Sequence, residues 1–271
     1  LTDPILVFDS GIGGLSVLSE IRKQLPQQDF IYLFDNARLP YGELEEAELK
    51  TGAIKLIVDL VDRHRAKLAV IACNTASTII LPELRERLSI PVVGVVPAIK
   101  PASEQTKTQH IAVIATPATI KRDYTKNLID TFASNCKVEL LASSELVRLA
   151  EEKLSGGEVL QSEVKKIVKP IVNTNVDTLV LGCTHFPLLK EELNLALNKK
   201  VKLLDSGTAI ANRIIQLLNI DSNTESLSER AEAAGRVNII GVHTTASINI
   251  GLEASLRQNG FTEIEPYKKA R

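Results

Sequence analysis

Two of the three cysteines in this 271-residue chain, Cys73 and Cys183, stand in matching surroundings. AVIACNTAS (69–77) and LVLGCTHFP (179–187) each carry an apolar run into a small residue, a cysteine and then a polar residue where a helix begins. A thiol there faces the free N–H groups and the dipole of a helix N-terminus, which lower its pKa from a free value of about 8.5, so both are expected to be partly thiolate. Hydrogen-bonding residues accompany each: Asn74 and Thr75 beside one, Thr184 and His185 beside the other. A lone free cysteine usually behaves as a small buried hydrophobe, and Cys136, outside any such motif, reads that way.

The pairing narrows the chemistry. A disulfide oxidoreductase would carry Cys-x-x-Cys, and a structural zinc site would need paired cysteines or a Cys/His cluster; neither is present. A cysteine protease needs one thiol and a distant base. Removing a proton from one face of a stereocentre and returning it to the other needs two acid–base groups flanking one carbon, and one cysteine from each half of the chain supplies that arrangement. DSGIGG (9–14) adds a glycine-rich turn at a strand end, where backbone N–H groups can meet an anion such as a carboxylate. Its glycine spacing is neither the dinucleotide fingerprint nor a P-loop.

The elements that must position these residues read as α/β throughout. Short apolar, β-branched runs at 5–9, 30–35, 68–73, 92–96, 111–116, 138–141, 178–183, 201–205 and 237–242 alternate with segments of helical spacing. Runs without in–out alternation imply strands buried on both faces, as in parallel sheets covered by helices. Gly13 and Gly14 open one helix before Pro26, Ser143 and Ser144 open another before Gly156 and Gly157, and Pro187 opens a third. In open α/β sheets ligands lie beyond the carboxyl ends of strands, which is where both cysteines fall, so two half-sites facing one cleft are expected. VFDSG (7–11) and LLDSG (203–207) look like a second echo between the halves. The polar stretch 221–236 reads as a linker or exposed insertion, and the segment after it is expected to pack back on the first domain.

Composition excludes other classes. With 32 Lys and Arg against 33 Asp and Glu, the chain has no basic footprint, so nucleic acid is not expected as a main partner. The apolar runs are far short of the roughly 18 to 20 residues that span a bilayer, so no membrane partner is expected. Without a secretory pattern, and with an odd number of free cysteines, a cytoplasmic location is expected.

Five ordered motifs, DSGIGG (9–14), PYG (40–42), CNTAS (73–77), GVVPAIKPA (94–102) and GCTHFPLL (182–189), closely resemble the glutamate racemases of the aspartate/glutamate racemase superfamily, over residues 5 to about 218. The resemblance implies two similar parallel-sheet α/β domains related by a pseudo-twofold, 1–97 with 209–271 and 98–208, and an active site in the cleft between them. It also implies a cofactor-independent interconversion of L- and D-glutamate for peptidoglycan, with no metal, usually in a homodimer. Cys73 and Cys183 would be the two bases, with Asp9 assisting the first and His185 the second. Ser10, Pro40, Tyr41, Gly42, Asn74, Thr75, Thr119 and Thr184 match positions that hold substrate, and Glu151, with Glu152 as its competitor, matches a family glutamate near the second half-site. Some Gram-negative relatives are activated by a nucleotide-linked peptidoglycan precursor, and whether one acts here is left open. Asn36 and the C-terminal GVHTTASINIG (241–251) depart from the family pattern. Another member of the superfamily, such as an aspartate or hydantoin racemase, and a two-lobed binding protein using the same cleft without turnover are the alternatives. Asp205 and Ser206 are left out of the site, His64, His110 and His243 have no catalytic context, and ELEEAELK (43–50) reads as a solvated helix face.

Overall fold

The computed structural model describes residues 1, 3–220 and 237–269, so the polar stretch 221–236 lies outside the described residues. The strands are β1 (Ile5–Asp9), β2 (Phe30–Phe34), β3 (Leu68–Ile71), β4 (Val92–Gly94), β5 (His110–Ala115), β6 (Lys137–Ala142), β7 (Thr178–Leu181), β8 (Lys202–Leu204), β9 (Ile239–His243) and β10 (Glu263–Pro266). The helices are α1 (Leu15–Gln24), α2 (Glu46–His64), α3 (Asn74–Arg87), α4 (Ile99–Gln105), α5 (Pro117–Lys121), α6 (Asp123–Phe132), α7 (Glu145–Leu154), α8 (Gln161–Val172), α9 (Lys190–Ala196), α10 (Gly207–Leu217) and α11 (Ile250–Gln258).

Two parallel sheets result, one in the order β10-β9-β2-β1-β3-β4 and the other β6-β5-β7-β8. Counting strands within each unit, the run second-first-third-fourth occurs in both, so β5 to β8 repeat the topology of β1 to β4. Cys73 follows β3 and Cys183 follows β7, its counterpart. The echo between VFDSG and LLDSG is not part of this repeat, because the first ends β1 and the second leaves β8, the counterpart of β4.

In the central strands the continuous apolar runs are explained by cores on both faces, whereas the edge strands β6 and β8 are only partly covered and Leu140 is 47% exposed. Ile5 and Val7 of β1 face a core shared with α1, α10 and α11, whereas Leu6 and Phe8 face one built by α2 and α3. In the second sheet Ala112 and Ile114 face α7, α8 and α9, while Ile111 and Val113 face α4 and α6. Both strands end two residues before their cysteine, so Cys73 and Cys183 sit in the turns. Pro187 lies in a 3₁₀ turn (Phe186–Leu189), and α9 starts only at Lys190. The chain crosses between the sheets twice, between β4 and α4 and again between β8 and α10, and α10 packs on α1. β9 pairs with β2, and β10 extends that sheet.

Candidate active site

Asp9, the last residue of β1, is fully buried and organises the turn that follows. Its Oδ1 accepts the Ser10 N–H at 2.8 Å, and its Oδ2 accepts the Gly14 N–H together with the Thr184 hydroxyl at 3.1 Å. The Ser10 hydroxyl lies 3.7 Å from the Cys73 Sγ. Cys73 is itself the N-cap of α3, and its sulfur accepts the Ala76 N–H at 3.4 Å. A buried aspartate, a hydroxyl and a helix N-terminus therefore converge on the first thiol.

Across the interface the second thiol has a different retinue. The Cys183 Sγ lies 3.7 Å from Nδ1 of His185, whose Nε2 is 2.7 Å from Oε1 of Glu151 on α7. The same carboxylate oxygen accepts the Ile12 N–H from the turn of the first half at 2.9 Å, which ties the two half-sites together. Glu152 instead pairs with Arg148 at 2.7 Å on the surface, so Glu151 is the glutamate that reaches the site. Gly13 owes its identity to this closeness: a Cβ there would meet the His185 ring and stand 2.6 Å from the Thr184 hydroxyl.

A third cluster is made of hydroxyls. Thr75 at the start of α3 lies 3.2 Å from both Thr116 and Thr119 of the second half, which are 3.0 Å from each other, and all three are buried. Thr116 was not singled out from the sequence, although its Thr-Pro start to α5 is an N-cap signal. Gly42 packs on it, since a Cβ there would lie 2.8 Å from the Thr116 Cβ. Gly42 thus brings the PYG turn against the second lobe, and Pro40 beside it follows a cis peptide bond. Tyr41 is oriented differently from a ligand-facing phenol: its hydroxyl donates to Asp35, which also takes the Arg38 Nε at 2.7 Å and the Thr244 hydroxyl at 2.8 Å. Asp35 was missed for want of a motif of its own. Asn74 is buried and its Oδ1 has no protein partner, leaving an acceptor beside the thiols.

Burial sets the electrostatics. It raises the Asp9 carboxyl above its ordinary range, opposed by the charge of His185 and by the hydrogen bonds from Ser10, Gly14 and Thr184. Burial, and then the nearby Asp9 charge, also push the Cys73 thiol well up, outweighing the Ala76 N–H, so the expected resting thiolate is not what this environment favours. Burial alone would lower His185, yet its contacts with Cys183 and Glu151 hold it well above an ordinary imidazole. The site is therefore asymmetric, with the Asp9 carboxyl group beside one thiol and the His185 ring, held above its ordinary range, beside the other.

The remaining residues fall outside it. Cys136 is partly exposed at the edge of the second lobe, and His110 pairs with Glu139 at 3.2 Å. Asp205 binds Lys190 at 2.6 Å and accepts the Gly207 N–H at the start of α10. Among the described residues no three His, Cys, Asp or Glu side chains converge as metal ligands, and no helix is long and apolar enough to cross a membrane. A cavity of about 10 Å³ touches Cys183 and Asn74, and a groove of about 800 Å³ runs over the outer face of α2.

Two parallel α/β lobes of repeated topology, each sending one strand-end cysteine to a shared interface, define the class of protein. The chain belongs to the Asp/Glu/hydantoin racemase family, whose profile matches residues 5–214. It is 54% identical to the glutamate racemase of Shewanella piezotolerans over 98% of both chains, and 55% identical to that of Shewanella pealeana over 96% of both. Its fold superposes on the Escherichia coli glutamate racemase, solved with L-glutamate and the activator UDP-MurNAc-Ala, with a TM-score of 0.89, 42% identity and 99% of each chain covered.

Proposed function

We propose that this racemase interconverts L- and D-glutamate by a two-thiol mechanism, with Cys73 and Cys183 on opposite faces of the substrate Cα. The observation that carries the reading is the pair of cysteines after topologically equivalent strands, meeting across one interface with Asp9 and Ser10 beside one and His185 beside the other. In each direction one thiolate removes the Cα proton and the opposing thiol returns a proton to the other face. Cys73 takes it from D-glutamate and Cys183 from L-glutamate.

No lysine or arginine is among the residues assigned here, so the carboxylates must be held by neutral donors. Hydroxyls of Ser10, Thr75, Thr119 and Thr184, the backbone of Tyr41 and Gly42, and the N-termini of α3 and α5 are the candidates. The unpartnered Asn74 Oδ1 suits the substrate ammonium. That ammonium, once buried near Cys73, offsets the Asp9 charge that disfavours the thiolate. Thus substrate binding itself prepares the base.

The reaction needs no cofactor or metal in this reading, since fixed donors and thiolates supply the charge stabilisation. We place the enzyme in the cytoplasm, as a homodimer making D-glutamate for peptidoglycan, with a nucleotide-linked peptidoglycan precursor as a candidate activator. The test is incubation of chelator-treated, dialysed protein with L-glutamate in D₂O. Appearance of D-glutamate carrying Cα deuterium is the expected result. Racemisation of another amino acid in preference to glutamate would change the substrate, and loss of turnover restored by a metal or pyridoxal phosphate would overturn the mechanism.

A further inference from the structure

Tyr32, in the middle of β2, is fully buried, and its hydroxyl reaches beneath the 9–14 turn to donate to the Gly11 carbonyl at 2.8 Å. The space it occupies is reserved: a Cβ on Gly14 would stand 2.8 Å from that hydroxyl. Its ring is fixed edge-on against Phe261 at 5.8 Å and tilted against Phe34 at 5.7 Å, so the phenol has little freedom to leave. Burial, and then the charges of Asp9 and Glu151, hold it protonated, which keeps it a donor.

Gly11 sits between two residues that reach opposite thiols. Ser10 on one side points its hydroxyl at Cys73, while Ile12 on the other gives its N–H to Glu151, which holds His185 beside Cys183. The peptide carbonyl of Gly11 is the acceptor that fixes the plane between them. We infer that Tyr32 is a positioning residue for both half-reactions, orienting the 9–14 turn so that Ser10 and Ile12 address the two thiols at once. The inference rests on the two-thiol reading proposed above. A phenylalanine in its place leaves a buried carbonyl without a donor, and that carbonyl regains a partner only by rotating the turn.

Four proteins decide it: unmutated, Tyr32→Phe, Gly14→Ala and the double variant, with Leu256→Ala on α11 as a purely structural control from the same core. Tyr32→Phe should lower kcat about tenfold or more while KM changes little, and should shift the pH dependence of kcat/KM. The pH dependence of alkylation of the active-site thiols should shift with it. Leu256→Ala should lower Tm and leave both pH profiles in place. Gly14→Ala pushes against the same hydroxyl, but its methyl would also stand 2.9 Å from the Asp9 Cβ and 3.2 Å from the Ala72 Cβ, so it should lower kcat by itself. The double variant should recover only the part of that loss that comes from the hydroxyl. If Tyr32→Phe does not fold, 3-fluorotyrosine at position 32, which keeps the shape of the ring and changes the strength of the hydroxyl as a donor, carries the test through the same alkylation profile, and an unchanged profile overturns the inference. Unchanged kcat and unchanged alkylation profiles in Tyr32→Phe would overturn the inference. If the unmutated protein fails to racemise glutamate, the functional reading falls while the alkylation comparison still decides the role of Tyr32.

Discussion

At the scale of single residues, the two thiols are chemically alike and environmentally unlike. Cys73→Ser or Cys183→Ser should abolish racemisation while glutamate binding stays measurable by calorimetry, because serine keeps similar volume but is far too weak an acid to alternate as base and acid. Full activity in either variant would remove that thiol from the mechanism. Glu151 offers a finer probe, since its carboxylate helps hold His185 above the ordinary imidazole range. Glu151→Gln keeps an oxygen for the Ile12 N–H but removes the charge, so His185 should deprotonate at lower pH. Where the imidazolium serves the reaction, the alkaline limb of kcat/KM moves acidward. The linkage to stability has the matching sign. A histidine raised in the folded state contributes stability that is complete below about pH 6.5 and fades as pH rises through the folded value. Melting curves of the unmutated protein should therefore fall more steeply above pH 6.5 than those of Glu151→Gln, and parallel curves would discount the ion pair.

At the scale of elements, glycine separates activity from stability. Gly13→Ala drives a methyl into the His185 ring and the Thr184 hydroxyl, so the lobes cannot meet as they do, and kcat/KM should fall by about 100-fold. Gly156, at φ +89° after α7 with open space around it, should instead cost about 1 kcal/mol on change to Ala, with activity kept. A Gly13→Ala enzyme of normal activity would mean the lobes work further apart. Such contacts show what the chain alone could reveal. The buried strands and both cysteines were legible because unbroken apolar runs and strand-end polar residues are local signals. β10 was not, since EIEP is short and largely exposed, and what orders it, pairing with β9 and packing of Ile264 on the core, comes from distant parts of the chain. The raised Cys73 thiol escaped for a related reason: the helix N-terminus is visible in CNTAS, but the burial and the Asp9 charge that outweigh it come from another strand. Asp35 and Thr116 likewise gain their surroundings only when separate loops meet.

At the scale of the whole molecule, the fold is one lobe topology used twice and then made unequal by what each copy places beside its thiol. Enantiomers in water have equal free energy, so the equilibrium constant is unity whatever the mutation, and kcat/KM must fall equally in both directions. Inequality between lobes is therefore invisible in kcat/KM ratios and must be sought in kcat and KM separately, or in isotope effects. Asp9 serves the Cys73 side, which takes the proton from D-glutamate in the mechanism proposed, and His185 serves the Cys183 side, which takes it from L-glutamate. Asp9→Asn should slow abstraction from D-glutamate and raise the Cα-deuterium isotope effect chiefly in that direction. His185→Asn should do so chiefly from L-glutamate. The Thr184 bond to Asp9 and the Ile12 bond to Glu151 cross the interface, so each change should also be felt weakly on the far side. The measurement is the isotope effect on kcat for both enantiomers in all three proteins. Equal effects in both directions, matching the unmutated enzyme, would show that Asp9 and His185 are not divided between the thiols, and that the asymmetry of the folded site has no counterpart in the rate-limiting proton transfers.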